Sequence, residues 1–282
     1  MRTLTADERY AFDTDGVVLL KEAVAPHWVP RITEAVDREL DVDVDGLPRE
    51  ARAAGLARHL FVTNPEFATF LAETGLARLA AEATGSTTIR AYFDQIFIKP
   101  ADAGNKVFDW HQDAPYWPIG GDTVVSTWLA LTSNTAESSA LEFVRSSHLW
   151  DVVYRPVAAD GSREAMNQLW DGFGDLAYAI PNEVIAFEEH PDRFDIAQFA
   201  VEPGDALLFD YRILHRSRGN PTSNRRVAVS WRWLGDRARW AWERGKDPVV
   251  NQTHTVLAPG DLITDDDAFP VAYRAPVLAQ AS

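Results

Sequence analysis

Residues 88–100, TIRAYFDQIFIKP, and residues 225–233, RRVAVSWRW, decide the class of fold. In both, apolar or aromatic side chains alternate with polar ones at a period of two, the repeat of a half-buried strand. Between them, KVFDWHQD (106–113), TVVSTWLALT (123–132), ALEFV (140–144), IAQFAV (196–201) and DALLFD (205–210) read as further short strands. Gly-Gly at 120–121, Pro-Gly at 203–204 and RGNP at 218–221 punctuate the series. Residues 157–192, around REAMNQLWDGF, interrupt it with a mixed helix and loop insertion.

Upstream the period is helical. Thr5, with Glu8 three residues on, forms a capping box for a helix through Phe12, which DTDG ends and the strand GVVLL follows. Pro26 opens a second helix that carries Trp28, Ile32, Val36 and Leu40 on one face. Residues 65–85 read as one long helix or two short ones, with Phe67, Phe70, Leu71, Leu76 and Leu79 buried. The acidic DVDVDGLPRE (41–50) lacks the EF-hand spacing and reads as a solvated loop. No linker or repeat divides the chain. We therefore expect a single domain over 1–282: helices over 1–86, a strand-rich core over 87–235, and a Pro-, Asp- and Gly-rich tail over 236–282 that wraps the surface or covers the site. Helices followed by strands predict helices on one face of an antiparallel barrel or two-sheet sandwich, and exclude the alternating Rossmann and TIM patterns.

Composition narrows the function. The 282 residues include no cysteine, which excludes disulfides, thiolate-held zinc or iron–sulfur clusters and a thiol nucleophile. A formal net charge of -15 repels nucleic-acid phosphates and anionic lipid heads. No apolar run nears the roughly 18 residues of a membrane span, and MRTLTADERYAF has no apolar leader core. The expectation is a cytoplasmic protein acting on a small molecule, without nucleic-acid or membrane partners. Its oligomeric state is not legible.

Two of the 7 histidines begin an HxD triplet, His111-Gln-Asp113 and His190-Pro-Asp192. His190 lies in the acidic AFEEHPDRFD and reads as surface. His111 ends an apolar alternating stretch, so it and Asp113 share one face at a strand end, as adjacent metal ligands would. His215, near the end of a strand begun by the turn at 203–204, supplies a third ligand. Two imidazoles and one carboxylate with open positions are the oxygenase arrangement for Fe(II). The plainer alternative makes both histidines hydrogen-bonded core residues and Asp113 a turn cap. A 2-oxo acid chelating such an iron needs its distal carboxylate held by a buried guanidinium. On the strand 225–233, Arg226, Ala228, Ser230 and Arg232 share one face, and Arg225, Val227, Val229 and Trp231 the other. The second set reads as packed on helices and the first as a pocket wall, which favours Arg226.

WHQD at 110–113, the D-Y-x-x-x-H-x-S context of residues 210–217, and Arg226 downstream resemble the phytanoyl-CoA dioxygenase family of Fe(II)/2-oxoglutarate oxygenases. The opening helix with DGVVLL and the run PGDALLFD extend the resemblance over about residues 8–235. It implies a mainly β fold with flanking helices, the double-stranded β-helix or cupin-like jelly roll. It also implies iron(II) on His111, Asp113 and His215, Arg226 on the C5 carboxylate of 2-oxoglutarate, and O2 as second co-substrate. Ser217, Gln95 and Trp128 resemble co-substrate contacts by position. Gln95 reads equally as an edge-strand residue, and Trp128 as core. Chlorinating relatives carry Gly or Ala where Asp113 stands, so the resemblance implies hydroxylation, with desaturation, cyclisation and epimerisation open to the same machinery.

Tyr116 and Trp117 follow the motif at the expected barrel mouth and suggest a partly hydrophobic metabolite. Arg145 and Arg216 are candidate anchors for an anionic group on it, or else salt-bridging residues. The acidic surface argues against a CoA thioester. A cupin-type isomerase, a zinc hydrolase using Glu142 as base and a metal-free jelly-roll binding module are the competing classes.

Overall fold

The computed structural model describes residues 2–41, 57–102, 107–154, 187–242 and 255–276. Among the described residues five helices lie mostly ahead of the strands: α1 (Ala6–Asp15), α2 (Trp28–Asp41), α3 (Leu60–Thr63), α4 (Pro65–Glu73) and α5 (Leu76–Thr84). The strands are β1 (Val17–Leu20), β2 (Thr88–Lys99), β3 (Phe108–His111), β4 (Ile119–Gly120), β5 (Val124–Ala130), β6 (Leu141–Val144), β7 (Ile196–Gln198), β8 (Ala206–Asp210), β9 (His215–Ser217), β10 (Arg226–Leu234), β11 (Arg239–Trp240) and β12 (Val271–Arg274). Six of them form one sheet in the order β1-β8-β5-β10-β2-β12, and four form a second, β3-β9-β6-β7. Every pairing in the two sheets is antiparallel. The result is the double-stranded β-helix, or jelly roll, with flanking helices.

Local signals account for the helix ends. Thr5 accepts from Glu8 N while the Glu8 carboxylate accepts from Thr5 N, the expected capping box. Gly16 closes α1 at φ 80, a left-handed conformation, and its α-carbon faces the His148 ring too closely for a side chain. Pro30 stands in the first turn of α2, where its missing N–H is no loss. The apolar stretch 65–85 divides into α4 and α5 because Gly75, at φ 79, breaks the helical path.

The helices cover the outer face of the large sheet. Trp28, Ile32, Val36, Phe67, Phe70, Leu76 and Leu79 pack there with Ile96, Val125, Leu129, Val227, Val229 and Trp231. Phe70 stacks on Trp231 at 4.7 Å between ring centroids. Truncating either ring would cost about 3–5 kcal/mol, a large share of a domain's net stability. The inner face packs on the small sheet through Trp128, Leu207, Phe209 and Ala228 against Leu141, Phe143 and Ala197. The alternation read along β10 therefore matches the two layers.

Four strands among the described residues escaped the sequence: β9, because the strand begun at 203–204 ends at Asp210 and His215 instead opens a separate strand in the small sheet, and β4, β11 and β12. β4 and β11 pair with each other but are two residues long, too short to show a period. β12 comes from the tail, which does more than wrap: it adds an edge strand beside β2 and sends Leu257, Ile263 and Phe269 into a core with Tyr92, Trp117 and Trp240. The acidic loop after Asp41 and most of the 157–192 insertion lie outside the described residues. Among the described residues no helix is long and apolar enough to cross a membrane.

Asp94, fully buried on β2, accepts hydrogen bonds from Leu60 N at 2.5 Å and Phe61 N at 2.8 Å and so docks the start of α3 on the sheet. Loss of hydration outweighs these bonds and the nearby Arg232 charge, and raises its carboxyl to about 7. A raised acid pKa means the folded state holds the proton that the unfolded state has released. Relative to Asp94→Asn, the wild type should therefore lose unfolding free energy as pH rises from about 4 to about 7, measured by urea melts across that window.

Candidate metal centre

The β3–β9 pairing sets His111 directly opposite His215, and the β6–β9 pairing sets Phe143 beside His215. The two imidazoles lie 4.1 Å apart between centroids, and Phe143 stacks on His215 at 5.8 Å. Asp113 follows β3 at the start of a turn over Ala114–Tyr116, held by Tyr116 N donating to its carbonyl at 3.1 Å and Ala114 N donating to Tyr211 O at 2.9 Å. Ligand atoms of His111, Asp113 and His215 all lie within 4.8 Å of one another, and the three residues are 5%, 8% and 6% exposed.

The environment sets the protonation state a metal needs. His111 Nδ1 donates to Asp109 O at 2.7 Å and His215 Nδ1 to Ile213 O at 3.0 Å, which leaves each Nε2 as a lone-pair donor. Burial lowers both imidazole pKa values; for His111 the neighbouring His215 adds to the effect, whereas for His215 the Asp113 charge opposes it. Ser126 Oγ donates to Asp113 Oδ2 at 3.3 Å, holding one carboxylate oxygen. Two neutral imidazoles and one anchored carboxylate fit a divalent iron with open coordination positions. Gln112, between the ligands, turns away and ties the loop through Val152 O at 3.1 Å and Arg212 O at 2.7 Å, with Tyr154 N donating to its carbonyl at 2.9 Å.

Arg226 stands on the inner face of β10 across from the small sheet. Its Nη1 donates to Ser139 O at 2.8 Å, its guanidinium lies 5.4 Å from the Trp128 ring, and its buried Nε has no hydrogen-bond partner. Burial lowers its pKa to about 10, so it remains a cation at neutral pH. Ser217 shares a face of β9 with His215. Lys99, opposite Arg226 in register, donates to Ser217 O at 3.2 Å, and burial followed by the Arg226 charge lowers its ammonium to about 7. Gln95, Ser230 and Trp128 form one cross-strand row over β2, β10 and β5. An orphaned Nε on a buried guanidinium is what a carboxylate ligand would satisfy.

Tyr116 meets His111 edge-on at 6.1 Å, while Trp117 is buried in the core with Tyr92, Phe93 and Tyr211. Arg145 and Arg216 belong elsewhere. Arg145 is bound by Asp15 and, at 3.2 Å, by Asp195. Arg216 points opposite to His215 along β9, pairs with Glu142 and Glu188, and covers Trp110 at 4.5 Å. Both arginines satisfy local carboxylates, and Glu142 is committed as an ion-pair partner rather than free as a base. His190 is half-buried near Phe194, away from the triad. Sequence reasoning missed Ser126, Ser139 and Lys99, which reach the site only through cross-strand register or loop placement. It placed Arg232 on the right face but assigned it no role.

A profile of the phytanoyl-CoA dioxygenase (PhyH) family matches residues 12–228. The ectoine dioxygenase of Sphingopyxis alaskensis is 24% identical over 238 residues, covering 78% of this chain and 72% of that protein. The multifunctional dioxygenase prhA of Penicillium brasilianum is 25% identical over 243 residues, covering 81% and 72%. Among solved structures, the non-haem α-ketoglutarate-dependent carbocyclase SnoK of nogalamycin biosynthesis superposes with a TM-score of 0.69 at 15% identity, covering 95% of this chain and 96% of that one, a likeness of fold.

If Arg216 is structural, Arg216→Met should leave Glu142 buried and only partly compensated by Arg218, at 2.8 Å. Urea unfolding should show a loss of about 2–4 kcal/mol, while Fe(II) and 2-oxoglutarate affinities change by less than about two-fold. With its buried triad and family match, the chain belongs to the phytanoyl-CoA dioxygenase family of Fe(II)/2-oxoglutarate-dependent oxygenases.

Proposed function

We propose that this enzyme hydroxylates an unactivated C–H bond of a small, partly hydrophobic metabolite while 2-oxoglutarate is decarboxylated to succinate and CO2. The observation that carries the reading is the complete, buried His111–Asp113–His215 set facing a buried Arg226 whose Nε lacks a partner. His111, Asp113 and His215 hold the metal. Arg226 takes the distal carboxylate of 2-oxoglutarate, Ser217 donates to the same group, and Gln95 and Trp128 wall the co-substrate from the side. When bound, iron and 2-oxoglutarate supply the oxidising power that turns dioxygen on a C–H bond.

The chain's own residues supply position and dryness. Ser126 fixes the Asp113 carboxylate, the Nδ1 bonds fix both imidazole tautomers, and all three ligands are buried. Asp113 fills the position that halogenating relatives leave to a halide, which favours hydroxylation. Likeness to the nogalamycin carbocyclase and to a multifunctional dioxygenase supports a second reading, in which the same machinery cyclises, desaturates or epimerises its substrate. Product analysis separates the two.

The test is anaerobic titration of the iron-loaded protein with 2-oxoglutarate, following the visible charge-transfer band of the chelate. Wild type should develop the band, His215→Ala should lose it, and Arg226→Ala should need about 10–100-fold more 2-oxoglutarate. Bound stoichiometric iron with no band would overturn the reading.

A further inference from the structure

The inner face of β10 reads Arg226, Ala228, Ser230 and Arg232, and cross-strand register extends each of them into a row across the large sheet. Lys99 lies opposite Arg226; Phe97, Ala228 and Ala130 form the next row, then Gln95, Ser230 and Trp128, then Phe93, Arg232 and Ser126. Successive rows stand about 7 Å apart. Both ends of this ladder already have a role. Arg226 marks the end at which the distal carboxylate of the co-substrate is held. Ser126, whose Oγ donates to Asp113 Oδ2 at 3.3 Å, marks the row beside the metal ligands. A co-substrate that joins the two ends, in the chamber between the sheets, must cross the rows of Ala228 and Ser230.

Ala228 presents a methyl group to that path, and Ser230 a hydroxyl. Ser230 is 1% exposed, and its Oγ has no hydrogen-bond partner among the described residues. Its backbone carbonyl, by contrast, accepts from Arg232 Nη1 at 3.2 Å. A buried hydroxyl without a partner is costly, and an alanine would fill the same place in a sheet interior without that cost. Ser230 stands two rows from Arg226 and one row from Ser126, so it lies toward the metal end of the path. The ring of Trp128, its neighbour in the row, is 5.4 Å from the Arg226 guanidinium, which brings this row within reach of a molecule seated on that arginine.

We propose that Ser230 is a co-substrate-binding residue whose hydroxyl donates to the 2-oxo acid group of 2-oxoglutarate, the end that meets the metal, while Arg226 takes the opposite end. This deepens the oxygenase reading above and rests on it. A hydroxyl suits the place. It offers a proton to an anionic group without bringing another charge beside the metal. Fixed on a strand whose nine residues are all buried, it is positioned before the ligand arrives. The two ends of the co-substrate are then read by separate donors: any 2-oxo acid engages Ser230, and only a diacid engages Arg226.

Two ligands separate the contacts. 2-Oxobutyrate keeps the 2-oxo acid group and lacks the distal carboxylate. Fe(II)-loaded protein is titrated under nitrogen with it and with 2-oxoglutarate, following the charge-transfer band. Ser230→Ala should weaken both ligands by the same factor, about ten-fold, the worth of a hydrogen bond to a charged group. Arg226→Ala should weaken 2-oxoglutarate and leave 2-oxobutyrate within about two-fold of wild type. The saturated band of Ser230→Ala should also move to higher energy, because the lost hydrogen bond stabilised the state in which electron density has moved onto the 2-oxo acid. Metal-free Ser230→Ala should melt no lower than metal-free wild type, since the hydroxyl it removes has no partner there. Affinities of Ser230→Ala within about two-fold of wild type for both ligands, a loss confined to 2-oxoglutarate, or a lower melting temperature without metal would overturn the proposal. A wild-type band that Ser230→Ala leaves unchanged overturns only this contact, whereas absence of the band in iron-loaded wild type overturns the oxygenase reading itself.

Discussion

Strand β10 is the constraint on which the rest of the molecule depends. All nine of its residues are buried, it is paired on both sides, and its two faces meet different demands. Val227, Val229, Trp231 and Trp233 close the hydrophobic layer beneath the helices. Arg226, Ser230 and Arg232 face the space between the sheets, where two guanidiniums and a hydroxyl would be an unfavourable way to fill a core. A strand with so polar an interior is tolerated because its outer face packs so completely. The Phe70–Trp231 stack and the helices around it hold that polar row in place.

The small sheet answers this with three ligands that cost little to hold. His111 and His215 are adjacent because β3 and β9 pair in that register, and each is locked by the backbone carbonyl two residues before it. Desolvation keeps both rings neutral, so no proton has to be expelled before a metal binds. Residues with outward-facing side chains do the reverse job. Trp110, Gln112 and Arg216 alternate with the ligands and pin the same segments to Glu188, the Tyr154 loop and Glu142. Metal-side and structural roles thus interleave residue by residue along β3 and β9.

Much of this was legible from the chain. The period of two, the capping box at Thr5, the helical stripe at Trp28, Ile32, Val36 and Leu40, and the WHQD motif each encode their own local geometry. So does the division of β10 into an apolar and a polar face, which pointed to Arg226 before any contact was known. What misled was charge whose partners lie far away along the chain. Arg145 and Arg216 have the chemistry of anion anchors, and nothing in their sequence neighbourhood reveals that Asp15 and Glu142, more than seventy positions away, already hold them. Lys99 and Ser139 were passed over for the same reason. The tail looked irregular because its contribution is a four-residue edge strand and three scattered core residues.

The sequence by itself determined the class of fold, the identity of three metal ligands and the face of β10 that lines the chamber, because side-chain alternation and motif spacing are properties of neighbouring residues. Tertiary structure alone decided which arginine meets a carboxylate of the protein and which remains inside the chamber, and which serine steadies Asp113. It also decided that the tail belongs to the large sheet. Those outcomes depend on register between strands far apart in the chain, and register is set by packing of the whole core rather than by any segment of it.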